Sequence, residues 1–66
     1  MPSTVIRTYD YSSERRELRV VFQSGRCYLY HEVPEETYAA MRKAFSKGEF
    51  FNENIRDHFE FTREDG

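Results

Sequence analysis

The 66-residue sequence predicts an α+β fold, a three-stranded antiparallel β-meander with two C-terminal helices packed on one face in the order β-β-β-α-α. Three observations predict it. Up to Val33 the chain carries three β-rich runs separated by turn chemistry. After Pro34 the apolar residues recur at three and four positions, the spacing of a helix. Five Tyr and six Phe supply large rings to a short chain, each able to bury roughly 150–250 Å². A chain this short buries only about 60% of its unfolded surface, so it reads as one domain, residues 1–66.

The first run is Thr4-Val5-Ile6-Arg7-Thr8-Tyr9-Asp10-Tyr11, rich in β-branched and aromatic residues. The polar loop Ser12-Ser13-Glu14-Arg15-Arg16 follows, and its length permits several registers with the next strand. The second run is Glu17 to Gln23 and the third is Arg26 to Val33. Only Ser24-Gly25 separates them, which predicts a two-residue hairpin loop. In that register Phe22 faces Cys27, Val20 faces Leu29 and Arg19 faces Tyr30. One side then holds Leu18, Val20, Phe22, Cys27 and Leu29 as the core face, with His31 at its end. The other holds Arg19, Val21, Gln23, Arg26, Tyr28 and Tyr30.

Pro34 suits the first turn of a helix, where its missing N–H costs nothing. Glu35 and Glu36 complement the positive end of that helix, and Arg42, Lys43 and Lys47 its negative end. Tyr38, Met41 and Phe45, with Ala44 between, form its apolar stripe. Two readings of the break at residues 46–48 stay open: Gly48 closes the first helix, or Ser46-Lys47-Gly48-Glu49 is a capping box for the second. The second helix is expected to run through Phe50, Phe51, Ile55 and His58 or Phe59, and residues 62–66 read as a frayed tail.

The run Gly25-Arg26-Cys27-Tyr28-Leu29-Tyr30, followed by Val33-Pro34 and Tyr38, resembles the KTSC domain, whose mark is a Tyr-x-Tyr pair. The likeness extends upstream to Tyr9-Asp10, Leu18, Val20 and Phe22-x-x-Gly25. Downstream it includes Ala44-x-Ser46-x-Gly48, Phe51-Asn52 and Ile55-Arg56, so it covers residues 4 to about 59. The family is named for the C-terminal extension of some lysyl-tRNA synthetases and also occurs as stand-alone bacterial proteins. This chain is similar to the stand-alone form. The resemblance implies no assigned activity, and through the synthetase context it implies RNA as a ligand class, an implication by association.

Charge and cysteine content narrow the class. The net charge is −2 with a third of residues charged, which argues against a charge-driven nucleic-acid coat. The first 31 residues are net +2 and the rest net −4, so any phosphate contact belongs to the N-terminal half. One cysteine, Cys27, excludes a disulfide framework; residues 1–7 lack the apolar stretch of a signal peptide, so none is expected, and no apolar run reaches the length of a membrane span. The expected location is the cytoplasm.

Tyr28 and Tyr30 lie two apart on one strand, with rings about 7 Å apart on one face. That spacing suits stacking of single-stranded bases, with Arg19 and Arg26 meeting phosphates and Arg15 and Arg16 assisting at the sheet edge. The plainer alternative is cross-strand packing, or burial of both rings under the C-terminal segment. Phe50 and Phe51 are neighbours on a helix and cannot both be buried equally, so one is a candidate anchor for a protein partner.

Catalysis is not expected. Cys27 and His31 lie about 13 Å apart along one strand, beyond reach for activating a nucleophile. Asp10 reads as a turn acceptor. His31, His58 and Cys27 have no metal-ligand spacing, and no cofactor motif is present. The expectation is therefore a non-enzymatic module that binds RNA, single-stranded or tRNA, through Arg15, Arg16, Arg19, Arg26, Tyr28 and Tyr30. The alternative is a protein-interaction or homodimerisation module using the same face or Phe50/Phe51, as a monomer or weak homodimer away from membranes.

Overall fold

Four strands and two helices are laid down in the order β1 (Ile6–Ser12), β2 (Glu17–Phe22), β3 (Cys27–Tyr30), α1 (Glu35–Lys43), α2 (Lys47–Asn54) and β4 (Phe61–Arg63). The computed structural model describes residues 6–64. Thr4 and Val5 of the expected first strand, and residues 65–66 of the expected tail, lie outside the described residues. The sheet is antiparallel with strand order β1-β2-β3-β4. The α+β architecture is as the sequence predicts, with one strand more. Thr62 and Arg63, expected in the frayed tail, belong to a strand: β4 pairs with β3, Tyr30 opposite Phe61 and Tyr28 opposite Arg63.

The β2–β3 register differs from expectation by one residue. Leu18 faces Tyr30, Val20 faces Tyr28 and Val21 faces Cys27. The cause is the loop, which contains Gln23, Ser24 and Gly25 and closes with Phe22 bonded to both Gly25 and Arg26. Gly25 has a φ of +96°, the left-handed conformation that a three-residue hairpin with a glycine bulge requires. Since strand side chains alternate, the slip sends all of β3 to the opposite face. Tyr28 and Tyr30 join Leu18 and Val20 under the helices, and Cys27 and Leu29 join Arg19 and Val21 on the outer face.

The core is one cluster of Leu18, Val20, Tyr30, Val33, Met41, Phe51 and Ile55. Phe51 lies edge-on to Tyr30 at 5.3 Å and to Phe22 at 5.4 Å. Tyr11 stacks on Tyr38 at 4.6 Å, tying β1 to α1. Of the two readings for residues 46–48, the start of the second helix holds: Ser46 Oγ accepts the Glu49 N–H at 3.3 Å as an N-cap, and Gly48 lies inside α2, which ends at Asn54 short of the expected His58 or Phe59. α1 stops at Lys43 because Ala44 takes extended backbone. The helical phase breaks there, and Phe45, expected in the apolar stripe, points fully into solvent at 106% exposure.

Candidate functional site

The six residues expected to form one binding face are dispersed over four places. Tyr28 and Tyr30 do share a face, 6.3 Å apart, but it is the core face. Tyr30 is only 1% exposed, and burial, reinforced by the neighbouring Tyr28, pushes its hydroxyl pKa up to about 12. Tyr28 is half-buried between Phe22 and Phe61. Neither ring offers a free platform for a base.

Arg19 stands on the outer face, separated from the tyrosines by the thickness of the sheet. Arg15 and Arg16 are exposed in the β1–β2 turn, where the Arg16 carbonyl accepts the Val33 N–H at 2.8 Å. Arg26 is exposed at the β2–β3 hairpin, the other end of β2. Six strand residues separate those ends, about 20 Å of sheet. The one-residue slip thus dissolves the proposed Tyr–Arg surface. The two rings of the alternative anchor are unequally buried, as their helical spacing implies: Phe51 is in the core at 1% exposure and so cannot serve as an anchor, while Phe50 is half-buried at the core edge.

What the fold does expose is the sheet face opposite the helices. Strand alternation places Asp10 of β1, Glu17, Arg19 and Val21 of β2, Cys27 and Leu29 of β3 and Thr62 of β4 on it. Asp10 lies mid-strand opposite Arg19, not in a turn. Arg19 pairs with Glu64 at 3.1 Å, and the same carboxylate oxygen lies 3.8 Å from Cys27 Sγ. Cys27 is only 7% exposed, yet it stands outside the core cluster. His31, expected at the end of the core face, instead bridges Glu17 at 3.3 Å and Thr62 at 2.8 Å. Glu17 accepts from Nδ1–H, so in the neutral ring Nε2 accepts from the Thr62 hydroxyl. Val21 and Leu29 are half-buried at the centre of this polar array.

A second cluster escaped the sequence reading. Tyr9 and Tyr11 flank Tyr38, and the Arg42 guanidinium lies 5.9 Å from the Tyr38 ring centre. Tyr11 Oη donates to the Val33 carbonyl at 2.6 Å. Burial raises the Tyr11 pKa, with the Glu35 carboxylate adding to it. The signal for this cluster was the alternation Tyr9-x-Tyr11, which places both rings on the core face. Among the described residues no three His, Cys, Asp or Glu side chains converge as metal ligands, and no helix is long and apolar enough to cross a membrane.

Comparison with known proteins places this geometry in a family. The KTSC domain family profile matches residues 2–59. The crystal structure of a KTSC domain protein from Yersinia pestis superposes with a TM-score of 0.86 at 31% identity, covering 97% of this chain and 90% of that one. An uncharacterised protein of Stutzerimonas stutzeri is 35% identical over 66 residues, covering 98% of this chain and 93% of its own. A lysine–tRNA ligase of Nostoc punctiforme is 34% identical over 60 residues, which is 91% of this chain but only 11% of the ligase. With the shared fold and the match over most of its length, this chain belongs to the KTSC domain family.

Proposed function

We propose that this chain is a non-enzymatic binding module, that its working surface is the sheet face opposite the helices, and that its ligand is a protein. The observation that carries the reading is the make-up of that face. Half-buried Val21 and Leu29 lie among Asp10, Glu17, Arg19 and Glu64. An apolar centre bordered by both charge signs matches a protein contact. Three carboxylates against one guanidinium oppose a phosphate chain laid across it. The single free cysteine fits a reducing setting, the cytoplasm of a bacterial cell. The module works as a monomer or weak homodimer without a cofactor.

RNA is the second reading, favoured by the likeness to a segment of a lysine–tRNA ligase. In that reading Arg15, Arg16, Arg19 and Arg26 contact phosphates from separate places, and base stacking on Tyr30 drops out of the mechanism. The deciding experiment is an amide-shift NMR titration with short single-stranded RNA and with tRNA, at low and moderate salt. Localised shifts on the four arginines that survive moderate salt overturn the protein reading. The supporting result is no localised shift, together with a photo-cross-link from position 21 to a protein in cells. Leu29→Arg must abolish that cross-link and Phe45→Ser must leave it intact.

A further inference from the structure

β4 is held unlike the other strands. β1, β2 and β3 all set side chains into or against the core, whereas every residue of β4 is exposed. Its apolar contact is one ring: Phe61, still 49% exposed, lies 5.1 Å from the Tyr28 ring centre and 5.3 Å from that of Tyr30. Beyond the ladder to β3, its ties include hydrogen bonds near the surface. His31 N–H reaches the Glu60 carbonyl at 2.9 Å, Glu64 N–H reaches the Cys27 carbonyl at 2.8 Å, and side-chain links join His31 to Thr62 and Arg19 to Glu64. An element with little buried apolar area and solvent-exposed hydrogen bonds opens locally before the rest of a fold.

We propose that β4 is a releasable strap, and that the β3 edge beneath it is a docking edge for an extended segment of a partner protein, which adds to the sheet in place of β4. In such strand addition the main chain supplies affinity and alternate side chains supply specificity. What β4 provides defines the occupant: an aromatic ring against Tyr28 and Tyr30, a hydroxyl toward His31 and a carboxylate toward Arg19. With no partner present, the strap keeps the β3 edge from pairing indiscriminately. Strand exchange at this edge involves Arg19 and Glu64, which also border the open face, but it does not require that face to bind a partner.

The test uses the full chain carrying Glu64→Cys. Position 64 faces Cys27 across the strand pair, with the Glu64 carboxylate 3.8 Å from Cys27 Sγ. Oxidation then pins β4 by a disulfide to Cys27, and reduction frees it. The probe is a fluorescein-labelled peptide of residues 60–64, Glu-Phe-Thr-Arg-Glu. Binding is expected to be weak, since the tethered strand competes at high effective concentration. Fluorescence polarisation should show saturable binding to the reduced variant and to the unmodified chain, weakened at least about tenfold on oxidation. In the unmodified chain, the His31 and Glu64 amides should exchange hydrogen faster than β2 amides that face the core strands. Equal peptide affinity in both redox states, no binding in either, or exchange at His31 and Glu64 as slow as in β2 overturns the proposal. A disulfide-linked dimer also overturns it, because the occupant is then β4 of a second copy.

Discussion

The Gly25 N–H bonds to the Phe22 carbonyl at 2.9 Å, and this contact decides which face of the sheet receives Tyr28 and Tyr30. It closes a loop of three residues where two would have placed both rings on the outer face beside Arg19. One backbone bond in a hairpin therefore separates a base-stacking surface from an aromatic core.

Gly25 sits at φ +96°, and a Cβ there meets nothing within 4 Å. Any cost of a side chain is thus backbone strain alone. Gly25→Ala should destabilise the domain by about 1–2 kcal/mol in urea unfolding. Arg16 and Glu32 also have positive φ, 56° and 57°, so glycine at either should be neutral or stabilising by up to about 1 kcal/mol. A neutral Gly25→Ala would contradict the three-residue loop.

Tyr30 links stability to alkaline pH. Its hydroxyl, ordinarily ionising near 10, is raised to about 12 by burial. The unfolded chain therefore loses this proton first. The stabilisation is fully present below pH 10 and is lost as pH rises toward about 12. Spectrophotometric titration at the phenolate band should show Tyr30 as a late step near pH 12, and Tyr30→Phe should remove both that step and part of the alkaline loss of stability. Tyr30→Ala should cost about 3–5 kcal/mol, most of what a domain of this size has to lose.

The Tyr11 hydroxyl anchors β1 to the segment entering α1 through the Val33 carbonyl at 2.6 Å. Tyr11→Phe keeps the stack on Tyr38 and removes only this bond. Thermal unfolding should report a loss of about 1 kcal/mol, whereas Tyr11→Ala, which also empties the stack, should lose appreciably more.

Ser46 and Phe45 are neighbours with opposite expected effects. Ser46→Ala removes the cap that starts α2, and a loss of about 1 kcal/mol is expected. Phe45→Ser changes a ring that is fully in solvent, so its stability should stay within about 0.5 kcal/mol of the parent. Equal losses in the two variants would mean that Phe45 is covered.

The layer architecture was legible because helix and strand periodicities are written in side chains that the fold then buries. Leu18, Val20, Met41 and Ile55 are all core as their spacing implied. The Ser46 cap was legible for the same local reason. The candidate site was not. A two-residue and a three-residue loop around Gly25 differ by one backbone hydrogen bond, and alternation amplifies that difference into a reversal of every β3 side chain. β4 was hidden because three polar-flanked residues carry too little pattern, and its partner strand lies far away in sequence.

That distance has a consequence for how the molecule is made. β1, β2 and β3 zip through neighbouring hairpins, whose closure takes microseconds. β4 pairs with β3 only after residues 31–60 have been laid down between Tyr30 and Phe61. At about 5–20 residues per second of synthesis, the residues between the two strands take a few seconds to add. The cover of the β3 edge is therefore among the last parts of the described fold to be made, and the edge can be closed only after both helices exist.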